Sequence, residues 1–193
     1  MTARLLLVCH ASTEATRTAA FPADEPLEDK ARMRAVALAG GLPRADRHWS
    51  SPELRTRQTA EALGLDAAIQ PMLRECDYGR WTGITIDAAQ AREPEAVASW
   101  LHDLSARPHG GESILDLMER VALWLAAEQA NQGQSIVVTH PTVIRAAIVH
   151  AIEAAPQSFW RIDVAPLSMT RLSGARGRWN LSAAGCTAIW NSD

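Results

Sequence analysis

His10 and His140 each follow a short apolar run, Leu5-Leu6-Leu7-Val8-Cys9 and Ser135-Ile136-Val137-Val138-Thr139. Runs of this kind suit strands buried on both faces. In an open parallel sheet ligands bind outside the carboxyl ends of the strands, so the two imidazoles are placed to meet there. Either histidine alone reads as a polar strand end with a backbone partner. As a pair they suggest chemistry, because a neutral imidazole is a competent nucleophile near pH 7. Arg55 adds a cation where one is normally unfavourable, in the first turn of a helix predicted from about Pro52 to Leu63. An anion bound at that helix start would compensate, since free N–H groups and a guanidinium fork both suit phosphate oxygens. Arg57, two residues on, points to roughly the opposite face and is given no role.

The elements that must position these groups follow from apolar spacing and punctuation. Leu27 to Ala39 is an alanine-rich helix closed by Gly40-Gly41, and His48-Trp49-Ser50 is a short strand. Ser50-Ser51-Pro52-Glu53 supplies cap hydroxyls, an early proline and a first-turn acid for the helix that carries Arg55. Asp66 to Gly83 reads as loop with short extended pieces. Glu93 to Leu104, Ser113 to Gln129 and Thr142 to Ile152 are helical. Trp160 to Val164, Met169 to Leu172 and Trp179 to Ser182 are expected as closing strands. Strand, helix, strand, helix implies a parallel sheet with helices outside.

Five blocks then stand in order along most of the chain. They are Leu7-Val8-Cys9-His10-Ala11-Ser12-Thr13; Ser50-Ser51-Pro52-Glu53-Leu54-Arg55 on to Thr59-Ala60; Leu73-Arg74-Glu75 through Gly79, Trp81 and Gly83; Gly110-Gly111-Glu112-Ser113; and Val138-Thr139-His140 through Arg145. In this the sequence resembles the histidine phosphatase superfamily, the phosphoglycerate-mutase-like proteins. The resemblance implies a three-layer α/β/α sandwich around a mostly parallel sheet of roughly six strands, one domain over residues 1–193, with the site above the strand ends.

The resemblance also implies roles. His10 would be the nucleophile that becomes phosphorylated, Arg55 and His140 the ligands of the phosphoryl oxygens, and Glu75 the proton donor to the leaving group. Ser12, Thr13, Pro141 and Thr142 are expected to line the phosphate site, with Glu112 as a cap and site support. No metal or cofactor is expected, because no ligand spacing stands out. Three positions depart from the family pattern. Cys9 stands in place of an arginine, so one phosphate clamp is missing, and a lost charge-stabilising donor costs roughly 3 to 4 kcal/mol in a transition state. Arg17, in an expected loop, is the candidate to fill that vacancy. Cys9 itself is read as a small buried group rather than a second nucleophile. Ala11 replaces a glycine, and Pro141 follows His140 without a backbone donor.

The expected function is hydrolysis of a small-metabolite phosphate monoester through a phosphohistidine on His10. A catalytically impaired family member that binds phosphorylated ligands and a phosphoglycerate-type phosphomutase are the alternatives. Composition bounds the rest. The chain has 193 residues, 47% hydrophobic and 21% charged, with a formal net charge of -3 and no basic stripe. Nucleic acid and anionic membrane are therefore not expected partners; a small phosphate ester is, and a homodimer is possible. The early apolar run is too short for a signal or a span, and Cys9, Cys76 and Cys186 are widely spaced, which suits reduced thiols and a cytoplasmic location.

Overall fold

A computed structural model describes residues 2–187, so the expected domain of 1–193 extends past them at both ends. In chain order the elements are β1 (Ala3–Cys9), α1 (Glu14–Thr18), α2 (Asp29–Leu38), β2 (Arg47–Ser50), α3 (Leu54–Ala62), β3 (Ala68–Ile69), α4 (Ile86–Arg92), α5 (Pro94–His102), α6 (Ile114–Gln129), β4 (Gly133–Thr139), α7 (Pro141–Ala151), β5 (Met169–Ala175) and β6 (Arg178–Cys186). The strands form one sheet in the order β3-β2-β4-β1-β5-β6. The first four run parallel, and β5 and β6 add antiparallel to the β1 edge.

Alternation along β1 explains the layering. Leu5, Leu7 and Cys9 join a core with α6 and α7, whereas Leu6 and Val8 join a second core with α2 and α3. Successive side chains of a strand point to opposite faces, so a continuous apolar run needs helices on both. The expected α/β/α sandwich is the observed one. Burial of this kind, at about 25 cal/mol per Å² of apolar area, holds the sheet between its helices.

Two expectations are corrected. Trp160 to Val164 is not a strand: Pro156–Arg161 is a 3-10 turn begun by proline at its first position. Phe159 is fully buried, Trp160 meets Trp100 edge-on with centroids 4.8 Å apart, and the Ile162 carbonyl accepts a bond from Arg145. Aromatic packing, rather than a ladder, fixes this segment. The loop expected to carry Arg17 is the short helix α1, with Thr13 and Thr16 forming a reciprocal capping box at its start.

The third and fourth blocks are held together by close backbone approach. Gly111 packs so tightly that a β-carbon there would lie 2.0 Å from the Asp77 carbonyl oxygen, and Glu112 N–H donates to that same oxygen at 2.8 Å. Only glycine fits at position 111, which accounts for its place in the fourth block.

Candidate active site

β1 and β4 are neighbours in parallel register, with Cys9 opposite Thr139. The next residues, His10 and His140, therefore emerge side by side, and the His10 N–H donates to the Thr139 carbonyl at 2.9 Å. Their rings are 5.3 Å apart in an edge-on arrangement, and both are buried. Nδ1 of His10 lies 2.8 Å from the Ala11 carbonyl. A carbonyl can only accept, so Nδ1 carries the hydrogen and Nε2 keeps its lone pair. Burial, then the charges of His140 and Arg55, hold the His10 imidazole well below its usual 6.5. His10 is neutral and oriented for attack.

Ser51 follows β2 and is anchored by its N–H to the Val138 carbonyl at 3.0 Å. Its hydroxyl lies 2.7 Å from His140 Nε2 and donates to the Glu53 carboxylate. Glu53 in turn stands 2.9 Å from His140 Nε2 and accepts the Glu75 N–H at 3.0 Å. Burial pushes the Glu53 carboxyl up, but bonds from His140 and Ser51 outweigh it and hold the group at about 2. Sequence reasoning gave Ser51 and Glu53 to helix capping. α3 instead begins at Leu54, whose N–H is taken by Asp24 at 2.6 Å. The freed side chains turn to His140.

A depressed carboxylate adds stability that is present above its unfolded value, 4.5, and is lost as pH falls through about 2. Glu53→Gln should therefore flatten the acid limb of an unfolding titration between those values. Removing this charge beside the phosphoryl position should also lower KM for phosphate esters several-fold, as initial-rate kinetics would show.

Arg55 is 1% exposed and lies in the first turn of α3. Its Nη1 donates to the Ala23 carbonyl at 2.7 Å, its Nη2 lies 3.6 Å from Glu75, and its Nε is buried without a partner. Glu75 is the compensating acid. Its carboxylate accepts from the Thr142 hydroxyl and from the Cys76 N–H, and stands 3.5 Å from His140 Nδ1. Donor atoms of His10, Glu75 and His140 all fall within 4.8 Å of one another. That spacing could gather a cation, but the Arg55 guanidinium beside the same carboxylate opposes one.

His10 and Glu75 open onto a cleft of about 250 Å³ lined also by Thr142, Pro141, Thr13, Tyr78 and Arg145, with small apolar residues from α1 beyond them. Other pockets are present elsewhere on the surface, but this one is lined by His10, with His140 buried behind it. Thr13 and Thr142, expected at the site, line it. Ser12 stands just outside, its carbonyl accepting the Glu28 N–H. Glu112 faces away into a fork from Arg120, at 2.8 and 2.7 Å, with Arg74 at 3.2 Å. Because Arg120 also donates to the Met72 and Arg74 carbonyls, Glu112 supports the Glu75 loop from behind. The Ala11 N–H donates to Thr59 of the second block at 3.0 Å. Cys9 is fully buried in the core under the cleft, and burial, followed by the Glu75 charge, pushes its thiol far up. It is not a nucleophile.

Arg17 does not reach the cleft. Its side chain is 60% exposed and pairs with Glu28 at 3.0 Å and Glu14 at 3.6 Å. Helix α1 carries it outward, toward those two acids.

The profile of the histidine phosphatase superfamily (branch 1) matches residues 5–187. A bifunctional protein of Mycobacterium tuberculosis is 33% identical over 182 residues, which are 86% of this chain and 49% of that protein. The chain thus spans about half the length of that relative. The glucosyl-3-phosphoglycerate phosphatase of the same species is 32% identical over 196 residues, 88% of this chain and 87% of that one. The solved structure of mycobacterial glucosyl-3-phosphoglycerate phosphatase with VO3 matches with a TM-score of 0.84 and 27% identity, over 94% of this chain and 98% of that one. With His10 and His140 side by side at the ends of the central strands and the family profile matched over residues 5–187, the chain belongs to the histidine phosphatase superfamily (branch 1).

Proposed function

We propose that the protein hydrolyses monoesters of small phosphorylated metabolites through a phosphohistidine on His10. The observation that carries this reading is His10 itself: Nδ1 is tied to the Ala11 carbonyl and Nε2 is free to attack, in a cleft shared with Glu75 and Thr142. In the first step Nε2 attacks phosphorus as the ester P–O bond breaks, and Glu75 gives a proton to the departing alkoxide. In the second, water attacks the phosphohistidine, Glu75 takes the proton, and phosphate leaves. Arg55 Nε, buried and unpartnered, is a donor reserved for a phosphoryl oxygen. His140 supplies another once Glu53 yields its place.

Relatives named for glucosyl-3-phosphoglycerate and for phosphoserine favour a phosphorylated metabolite with a polar leaving group. A cleft of about 250 Å³ suits a small molecule rather than a phosphorylated protein loop. Assay of the purified chain against sugar phosphates, phosphoglycerates and phosphoserine tests the reading. Steady release of inorganic phosphate without an acceptor is expected from at least one ester. Transfer to a second acceptor without net release would instead make the protein a mutase, and no turnover of any ester would leave it a binder.

A further inference from the structure

The site as described so far is short of positive charge. A phosphate ester brings a near-dianion to His10, yet Glu53 and Glu75 both point at this site and Arg55 is the one guanidinium among them. Arg55 is itself partly spent on Glu75 and the Ala23 carbonyl. Glu53, and Glu75 whenever it has given up its proton, set carboxylate charge against that one guanidinium and repel a dianion at close range. Position 9, on the strand that delivers His10, offers a thiol instead of a cation, and Arg17 is engaged at the surface.

Arg145 is the last residue of the fifth block. It lies on α7, three residues past Thr142, so both side chains share one face of the helix. It is half-buried and is the one arginine or lysine among the described residues lining the His10 cleft. Its Nε donates to the Ile162 carbonyl at 2.7 Å and its guanidinium sits 5.8 Å over the Phe159 ring. Those contacts fix the plane of the group while leaving both terminal nitrogens without a hydrogen bond or ion pair among the described residues. A half-buried guanidinium with a preset plane and free terminal nitrogens, facing a nucleophile, is built to take a bidentate oxyanion.

We propose that Arg145 grips the phosphoryl group in this chain, supplying from α7 the clamp that Cys9 cannot supply from β1. The position of its charge supports this. Arg145 lines the same cleft as His10, Glu75 and Thr142. With Arg145 counted, two guanidiniums balance two carboxylates before the histidines are considered.

This inference rests on the phosphatase reading for its meaning, but its first test, phosphate binding, needs no turnover. Inorganic phosphate is titrated calorimetrically into the wild-type chain, Arg145→Met and Arg145→Lys, with thermal melts of each. Phosphate affinity should fall tenfold or more in Arg145→Met and partly recover in Arg145→Lys, whose ammonium restores the charge but not the fork. Should Arg145→Met melt early, Arg145→Lys against wild type still decides, because loss of the fork alone should weaken phosphate several-fold. Unchanged phosphate affinity in the folded variants overturns the proposal. So does an effect confined to KM for carboxylate-bearing esters with phosphate binding intact, since Arg145 would then read the leaving group. In either of those cases His10-dependent hydrolysis could still stand.

Discussion

Replacing His10 with alanine should lower kcat on any accepted ester by at least about a thousandfold, since loss of a nucleophile removes the covalent route entirely. The fold should survive. The His10 side chain bonds just the neighbouring Ala11 carbonyl, its backbone N–H to Thr139 is kept by alanine, and its imidazole is held neutral by burial and neighbouring charge. A histidine held below 6.5 costs stability as pH falls through that value, because the unfolded chain gains a proton that the folded one refuses. His10→Ala should therefore be relatively more stable toward mild acid than wild type. In the wild type, kcat/KM should show no loss from His10 protonation near 6.5, and a pH–rate profile with its acid limb placed there by His10 would contradict the electrostatic picture.

Arg55→Met should damage both activity and stability. Its guanidinium meets Glu75 at 1% exposure, and removing one partner of a buried pair leaves the other charge uncompensated, at about 3 kcal/mol or more. The transition state loses a preorganised donor as well, a drop of about a hundredfold in kcat. Denaturant unfolding and steady-state kinetics on one preparation measure the two effects. The double variant Arg55→Met with Glu75→Gln should regain much of the stability and none of the activity, which separates the structural share of Arg55 from the catalytic one.

How far the sequence disclosed this site depends on the kind of signal each residue carried. β1 and β4 were legible because a strand buried on both faces writes an unbroken apolar run, and the polar break after it marks the strand tip where His10 and His140 stand. Arg55 was legible because a cation in a first helical turn calls for a compensating anion; the sequence reading gave that place to a bound phosphate, and within the chain Glu75 lies 3.6 Å away. Glu75 needed the family resemblance, since nothing local distinguishes it from a loop acid. Helices α1 and α4, with 5 and 7 residues, are too short for a 3.6-residue period to register, and their threonine caps were the available sign. Trp160 to Val164 alternates like a strand, but Pro156 and a buried aromatic cluster decide otherwise. Arg17 and Arg145 show the same limit from two directions. Arg17 is near His10 in sequence and is carried outward by α1, whereas Arg145 is distant in sequence and is brought to the cleft by α7. Glu53 was hidden because an acid just after cap serines and a proline reads as a first-turn acid, whereas α3 begins one residue later, with Asp24 on its first N–H.

The covalent intermediate is the centre of the account, and trapping it is the direct test. Rapid quenching of the enzyme during turnover of a labelled phosphate monoester, followed by peptide mass spectrometry under alkaline conditions, should find one acid-labile, base-stable phosphoryl group on His10, absent in His10→Ala. A phosphoryl group on any other residue, or full turnover with no phosphoenzyme at the shortest times, would contradict it.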